Sequence, residues 1–86
     1  ISAYDPGTKQ LVVIGGGTSV QVLDLSDPAN PKLAKTLDLS AYGSATNSVT
    51  IKDGIVAIAV DGIDRTGSGQ VVFYNSAGDF LRAVQV

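Results

Sequence analysis

Two stretches of this chain are versions of one unit. Val20-Gln21-Val22-Leu23-Asp24-Leu25-Ser26-Asp27-Pro28-Ala29-Asn30-Pro31 reads as a β-strand running into a tight, proline-framed turn, and Gln70-Val71-Val72-Phe73-Tyr74-Asn75-Ser76-Ala77-Gly78 repeats it. Internal self-similarity constrains a fold more than composition does. Each copy must form the same supersecondary unit, and each must bury its apolar faces against a neighbour of the same kind.

The intervening segments complete two matching series. Ile1-Ser2-Ala3-Tyr4 is a short alternating strand ended by Asp5-Pro6-Gly7-Thr8, where Pro fixes φ and Gly accepts φ > 0. Leu11-Val12-Val13-Ile14 is a continuous run of the kind covered on both faces. Gly15-Gly16-Gly17-Thr18-Ser19 turns the chain into Val20–Leu25, and Leu33, Leu37 and Leu39 mark an outer strand. After the connection Ser40–Thr46 the series restarts. Asn47–Lys52 is a strand, Asp53-Gly54 a two-residue hairpin turn, and Ile55–Val60 a buried strand. The glycine-bearing loop Asp61–Gly69, the strand Gln70–Asn75, the turn Ser76–Asp79 and the strand Phe80–Val86 follow.

Aligned with each other, the halves place Tyr4 on Ile51, Leu11 on Ile55, Ile14 on Ile58, Val20 on Val71 and Asp24 on Asn75. The last strands place Leu33 on Phe80, Lys35 on Arg82, Leu37 on Val84 and Leu39 on Val86. Four strands in a period of about 45 residues is the signature of propeller blades. A β-sandwich also spaces its strands at such intervals, but gives its halves no reason to match. The expected fold is therefore all-β: two four-stranded antiparallel β-propeller blades, residues 1–40 and 41–86, within a larger or oligomeric propeller-like assembly. Val12, Ile14, Val20, Val22, Val56, Ile58, Val71 and Phe73, on the middle strands, are the expected core.

Composition removes several functions. A chain of 86 residues buries only roughly 60–65% of its unfolded surface. With no Cys and no His, neither a disulfide nor an imidazole–thiolate metal site reinforces it. Two blades alone leave an apolar face open at each end. The expected partners are thus the remaining blades of a parent protein or other copies of the chain, which would build a ring or a filament. A net charge of −2 with 16% charged residues and scattered Lys and Arg argues against nucleic acid. The apolar runs Leu11–Ile14 and Ile55–Val60 fall far short of the ~20 residues of a membrane helix. No signal peptide is visible, and Ile1 is expected to be an internal start.

Ala3-Tyr4-Asp5-Pro6, Val20–Pro28, Asn47-Ser48-Val49 and Gln70–Tyr74 together resemble the propeller of bacterial choice-of-anchor I proteins. These in turn resemble distant relatives of the surface-layer propellers with Tyr-Val-Thr-Asn repeats, and the likeness covers essentially the whole chain. The resemblance implies a secreted or cell-surface bacterial protein. It also implies kinship with large proteins labelled alkaline-phosphatase-like or fused to nucleotidase- or phytase-like regions.

The residues offer little chemistry. Gly15–Ser19 lacks both the Gly-Lys-Ser/Thr ending of a P-loop and the final glycine of the dinucleotide fingerprint, and reads as a hairpin connection. Asp61 and Asp64, with nearby hydroxyls, offer oxygens to a hard cation such as Ca²⁺; their spacing is not that of an EF-hand, and solvated loop charges are the plainer reading. Asp24 and Asp27, beside Pro28, are expected to cap a turn. Tyr42, Asn47 and Ser48 lie in the connection between blades, where propellers gather a ligand-binding mouth; they are the candidate ligand-binding residues, although for Asn47 a hydrogen bond to the loop backbone is the plainer reading. Without Cys, His or a Gly-x-Ser-x-Gly elbow, the chain is expected not to be an enzyme by itself. Two readings follow: a non-catalytic structural and interaction module, or a fragment of an extracellular phosphatase- or nucleotidase-like hydrolase whose active site lies elsewhere.

Overall fold

A computed structural model describes residues 1–62 and 69–86 of the chain. The strands are β1 (Ser2–Asp5), β2 (Gln10–Gly16), β3 (Ser19–Asp24), β4 (Lys32–Asp38), β5 (Ala45–Lys52), β6 (Ile55–Asp61), β7 (Gln70–Asn75) and β8 (Phe80–Gln85). They form two four-stranded sheets, each antiparallel and in sequence order, β1-β2-β3-β4 and β5-β6-β7-β8. No strand crosses from one half to the other, and no helix occurs among the described residues. The all-β expectation holds, and the pair of sheets is consistent with propeller blades. β5 begins at Ala45, inside the stretch read as a connection.

The turn residues explain the hairpins. Asp53 (φ 52°) and Gly54 (φ 81°) form the two-residue connection whose twist matches the flanking strands. In the first hairpin the positive φ falls on Lys9 (58°) rather than on Gly7. Lys9 N–H closes the longer loop on Asp5 C=O at 2.7 Å, so the left-handed residue stands at the end of that loop. Gly16, the last residue of β2, and Gly17 after it take φ of 109° and 58° where the chain turns towards β3, the connecting role expected for that stretch. After β3, Asp24 Oδ1 accepts from Ser26 N–H at 2.9 Å and Asp27 Oδ1 from Ala29 N–H at 3.2 Å. Both carboxylates therefore cap turns, as their place beside Pro28 suggested.

Both sheets bulge between their third and fourth strands, at Val22/Leu23 and at Phe73/Tyr74. Superposing the bulges puts Val20 on Val71, Leu33 on Phe80, Lys35 on Arg82 and Leu37 on Val84, in agreement with the sequence alignment. For β2 the alignment slips by one. Leu11 pairs with Leu23 and Val56 with Tyr74, so Leu11 corresponds to Val56 rather than Ile55. The cause is turn length: Pro6–Lys9 occupies the first connection and only Asp53-Gly54 the second. Turn length fixes hairpin register, and both neighbours are apolar, so sequence offers no flag for the shift.

With the register settled, the core has a simple logic. Val12, Val20, Val22 and Leu37 of the first sheet are buried, as are Ile51, Val56, Ile58, Val60, Val72 and Tyr74 of the second. These two sets do not correspond. The counterparts of Val12, Val20, Val22 and Leu37 are Ala57, Val71, Phe73 and Val84, on the opposite face of the second sheet and only half-buried. The expectation that Val71, Phe73 and Ile14 would be core is corrected: Val72 and Tyr74 take those places, and Ile14 is half-buried at the rim. Equivalent positions cannot all be covered by one contact, because the first sheet lends its back and the second its front.

This geometry separates two truncations. Ile58→Ala, at a fully enclosed position, should cost about 2–5 kcal/mol through lost burial and a cavity. Phe73→Ala, on the uncovered face, should cost roughly 1–2 kcal/mol. Urea unfolding midpoints in dilute solution measure both; equal losses would contradict the face assignment.

Candidate functional site

The polar chemistry of the chain collects at the seam between the sheets, and at its ends. The middle of the seam is apolar, so backbone and side-chain polar groups find partners only where strands stop. At one end Thr46, at the start of β5, donates through both N–H (2.8 Å) and Oγ1 (3.0 Å) to Gly17 C=O in the β2–β3 turn. At the other, Gly54 N–H in the β5–β6 turn donates to Asp5 Oδ2 at 2.8 Å. Gln10 Nε2 adds a third link, to Ser76 C=O at 3.0 Å. β5 is thus fastened to the first sheet at both ends, lying along β1 and in the same direction.

Among the described residues Asp5 is the buried charged one, 3% exposed. Besides Gly54, its carboxylate accepts from Gly7 N–H and Thr8 Oγ1, both at 3.0 Å. Donors alone balance the charge, which is the arrangement that holds an acid ionised. The Gly54 N–H is the main cause that keeps the Asp5 carboxyl below the ordinary 3.8; burial opposes it, and Thr8, Gly7 and Asp53 reinforce it. Asp24 and Asp38 are also held low, chiefly by the backbone N–H of Ser26 and Ser40 respectively. Sequence reasoning treated Asp5 only as a turn residue. Its cross-sheet role depends on a partner far along the chain, which local pattern does not reveal.

The candidate ligand-binding residues separate. The Tyr42 ring packs on the core, stacked on Phe80 with centroids 5.6 Å apart, while Phe80 meets Tyr74 edge-on at 6.0 Å. Burial pushes the Tyr74 hydroxyl up, with Tyr42 and Asp38 adding to the shift. Tyr42 C=O accepts from Gln70 Nε2 at 3.0 Å. Gly43 lets this connection lie against the end of β6, where any Cβ would collide with Asp61 C=O and Val60. Asn47 and Ser48 are exposed. Asn47 sits at the β5 bulge between Thr46 and Ser48, a device that re-aims a side chain. Its Nδ2 donates to Asp61 Oδ1 at 3.1 Å. Asp61 therefore already has a partner, and Asp64 lies outside the described residues. Among the described residues no three His, Cys, Asp or Glu side chains are grouped to hold a metal ion.

These polar contacts link segments of the chain to one another. The family model of the choice-of-anchor I domain matches residues 1–86, the whole chain. The chain belongs to the choice-of-anchor I domain family. No curated protein and no solved structure matches it. The family is an anchor-type group of bacterial, surface-associated domains, as the sequence resemblance implied.

The Asp5 cluster gives this choice-of-anchor domain a defined acid response. A carboxyl whose folded pKa lies below its unfolded value stabilises fully above the unfolded value. That contribution is lost as pH falls through the folded one. Melting temperature should therefore be level from about pH 7 to 5 and fall steeply below about pH 4. Asp5→Asn should lower it at pH 7 and flatten the acid limb, because an amide cannot accept all three donors. An unchanged acid limb in Asp5→Asn would remove Asp5 as its cause.

Proposed function

We propose that the chain is a pair of adjacent β-propeller blades, residues 1–40 and 41–86, serving as a non-catalytic structural and interaction module of a secreted or cell-surface bacterial protein. The observation that carries this reading is the back-on-front packing of two sheets of equal topology and matching register. A sandwich buries one face of each sheet and leaves the outer faces polar. Here the outer faces keep Tyr4, Leu11, Leu23 and Leu33 on one side and Ala57, Val71, Phe73 and Val84 on the other. Further support comes from β1 and β5, which run side by side in one direction, as the innermost strands of neighbouring blades do. Within this reading Asn47 and Ser48 lie at the mouth where such modules meet a ligand, and Tyr42 serves packing.

Catalysis is the reading to be tested against. Purified chain should not hydrolyse p-nitrophenyl phosphate or bis-p-nitrophenyl phosphate above buffer rates with added Ca²⁺, Mg²⁺ or Zn²⁺. Metal-dependent turnover that disappears in Asp61→Asn would replace the structural module with the hydrolase reading.

A further inference from the structure

Asp53-Gly54 is a chemical weak point as well as a turn. Glycine has no side chain to shield its nitrogen, so in an unrestrained Asp-Gly pair that nitrogen attacks the Asp Cγ. A C–N bond forms, one carboxyl oxygen leaves as water, and a five-membered succinimide results. Water then opens the ring at either carbonyl. Opening at the Asp main-chain carbonyl leaves isoaspartate, with the backbone rerouted through Cβ and Cγ and no net change in composition. The sequence holds two such pairs, Asp53-Gly54 and Asp61-Gly62.

The geometry at Asp53 opposes that attack. Its φ of 52° is left-handed, a region in which ψ is about +30 to +60°. There the Gly54 nitrogen stands across the Cα–C bond from Cβ, and closing the ring needs roughly half a turn of ψ. That rotation carries Gly54 N–H away from Asp5 Oδ2, which accepts it at 2.8 Å. Gly54 is buried, with Ser76 and Thr8 beside it. The Asp5 carboxylate is itself held in place, by Gly7 N–H and Thr8 Oγ1 at 3.0 Å. The nitrogen is thus anchored to a fixed group on the other sheet.

We infer that Asp53-Gly54 is an isoaspartate site held closed by the hydrogen bond between its nitrogen and the Asp5 carboxylate. A hydrogen bond to a charged group corresponds to about ten- to hundredfold in a local opening equilibrium, and the succinimide forms only from the opened turn. What is protected is the seam itself. Isoaspartate adds a main-chain carbon to a two-residue turn whose twist fits its strands, which takes Gly54 N–H off Asp5. The carboxylate then stays buried with one donor fewer. One contact therefore sets the register between the sheets and protects the peptide unit on which that register depends. Asp61-Gly62 is held by other atoms: Asp61 Oδ1 accepts from Asn47 Nδ2 at 3.1 Å and Gly62 C=O from Ser44 Oγ at 2.8 Å, contacts that do not engage the Gly62 nitrogen.

The test is to age the full chain in warm neutral buffer and to measure isoaspartate at each pair by electron-transfer mass spectrometry. In the unaltered chain Asp53 should isomerise about ten- to hundredfold more slowly than in the same chain held in guanidinium chloride. Asp5→Ala should speed Asp53 by about that factor and leave Asp61 unchanged. Thr8→Val withdraws one donor from the carboxylate while keeping the Gly54 bond, and should give a smaller gain at Asp53; it serves as the second variant should Asp5→Ala fold poorly. Ile58→Ala weakens the enclosed core without touching the turn, and should not reproduce the gain. Equal rates in the folded and denatured chain overturn the inference. So does an equal gain in Ile58→Ala, or a parallel rise at Asp53 and Asp61, since either makes general unfolding the cause. A slower reaction in Asp5→Ala also overturns it, because the carboxylate would then be the base that draws off the proton rather than the anchor that holds the nitrogen.

Discussion

A sheet that is apolar on both faces must be covered on both, and this constraint shapes everything else in the molecule. The middle strands carry runs such as Leu11–Ile14 and Ile55–Val60, with no polar alternation to turn one face outward. One sheet cannot satisfy them, and two sheets satisfy only half. The chain settles the half it can by placing the back of the first sheet on the front of the second. That choice decides which of two equally apolar residue sets becomes core. Val72 and Tyr74 are buried while Val71 and Phe73 are not, although hydrophobicity alone would favour Phe73 over Tyr74.

Apolar contact alone would let the sheets slide, because dispersion and burial are non-directional. Register between them is set by the polar links at the seam's ends. Thr46 on Gly17 C=O fixes where β5 begins beside the first sheet, and Asp5 on Gly54 N–H fixes where its hairpin ends. Gly54 is itself constrained. Its φ of 81° lies in the left-handed region that favours glycine, while Ser76 and Thr8 would meet an added Cβ only at ordinary contact distance. The carboxylate thus recruits a donor that only the Asp53-Gly54 turn can present, so turn chemistry and inter-sheet geometry are the same fact. The cost is a buried charge, tolerated because three donors reach it.

Strand order, the two-sheet division and most turns were legible because they rest on local signals: Asp-Gly, proline-framed Asp24–Pro31 and the β-branched runs. The identity of the core was half legible. Alignment of Val20 with Val71 was sound, yet treating aligned residues as equally buried ignored that stacked repeats contact through opposite faces. The β2 slip arose from unequal turns, Pro6–Lys9 against Asp53-Gly54, whose lengths pattern alone does not weigh. At the candidate site, Tyr42 was singled out as an aromatic in a connection; the stacking on Phe80 that employs its ring is a tertiary contact between segments distant in sequence. Asp5 escaped notice for the same reason.

The positions where the two halves disagree are as informative as those where they match. Had the repeat been perfect, Lys52 would be an Asp, and the second sheet would carry the same carboxylate on its open back. Instead the carboxylate occurs once, at the internal seam, along with the Gln10–Ser76 link and the Tyr42–Phe80 stack supplied by the connection. The external faces keep the apolar rows but lose these specific contacts. A repeat that diverges in this way makes the two-sheet pair, rather than the single sheet, the cooperative unit. The pair folds around its own seam, where the directional contacts gather.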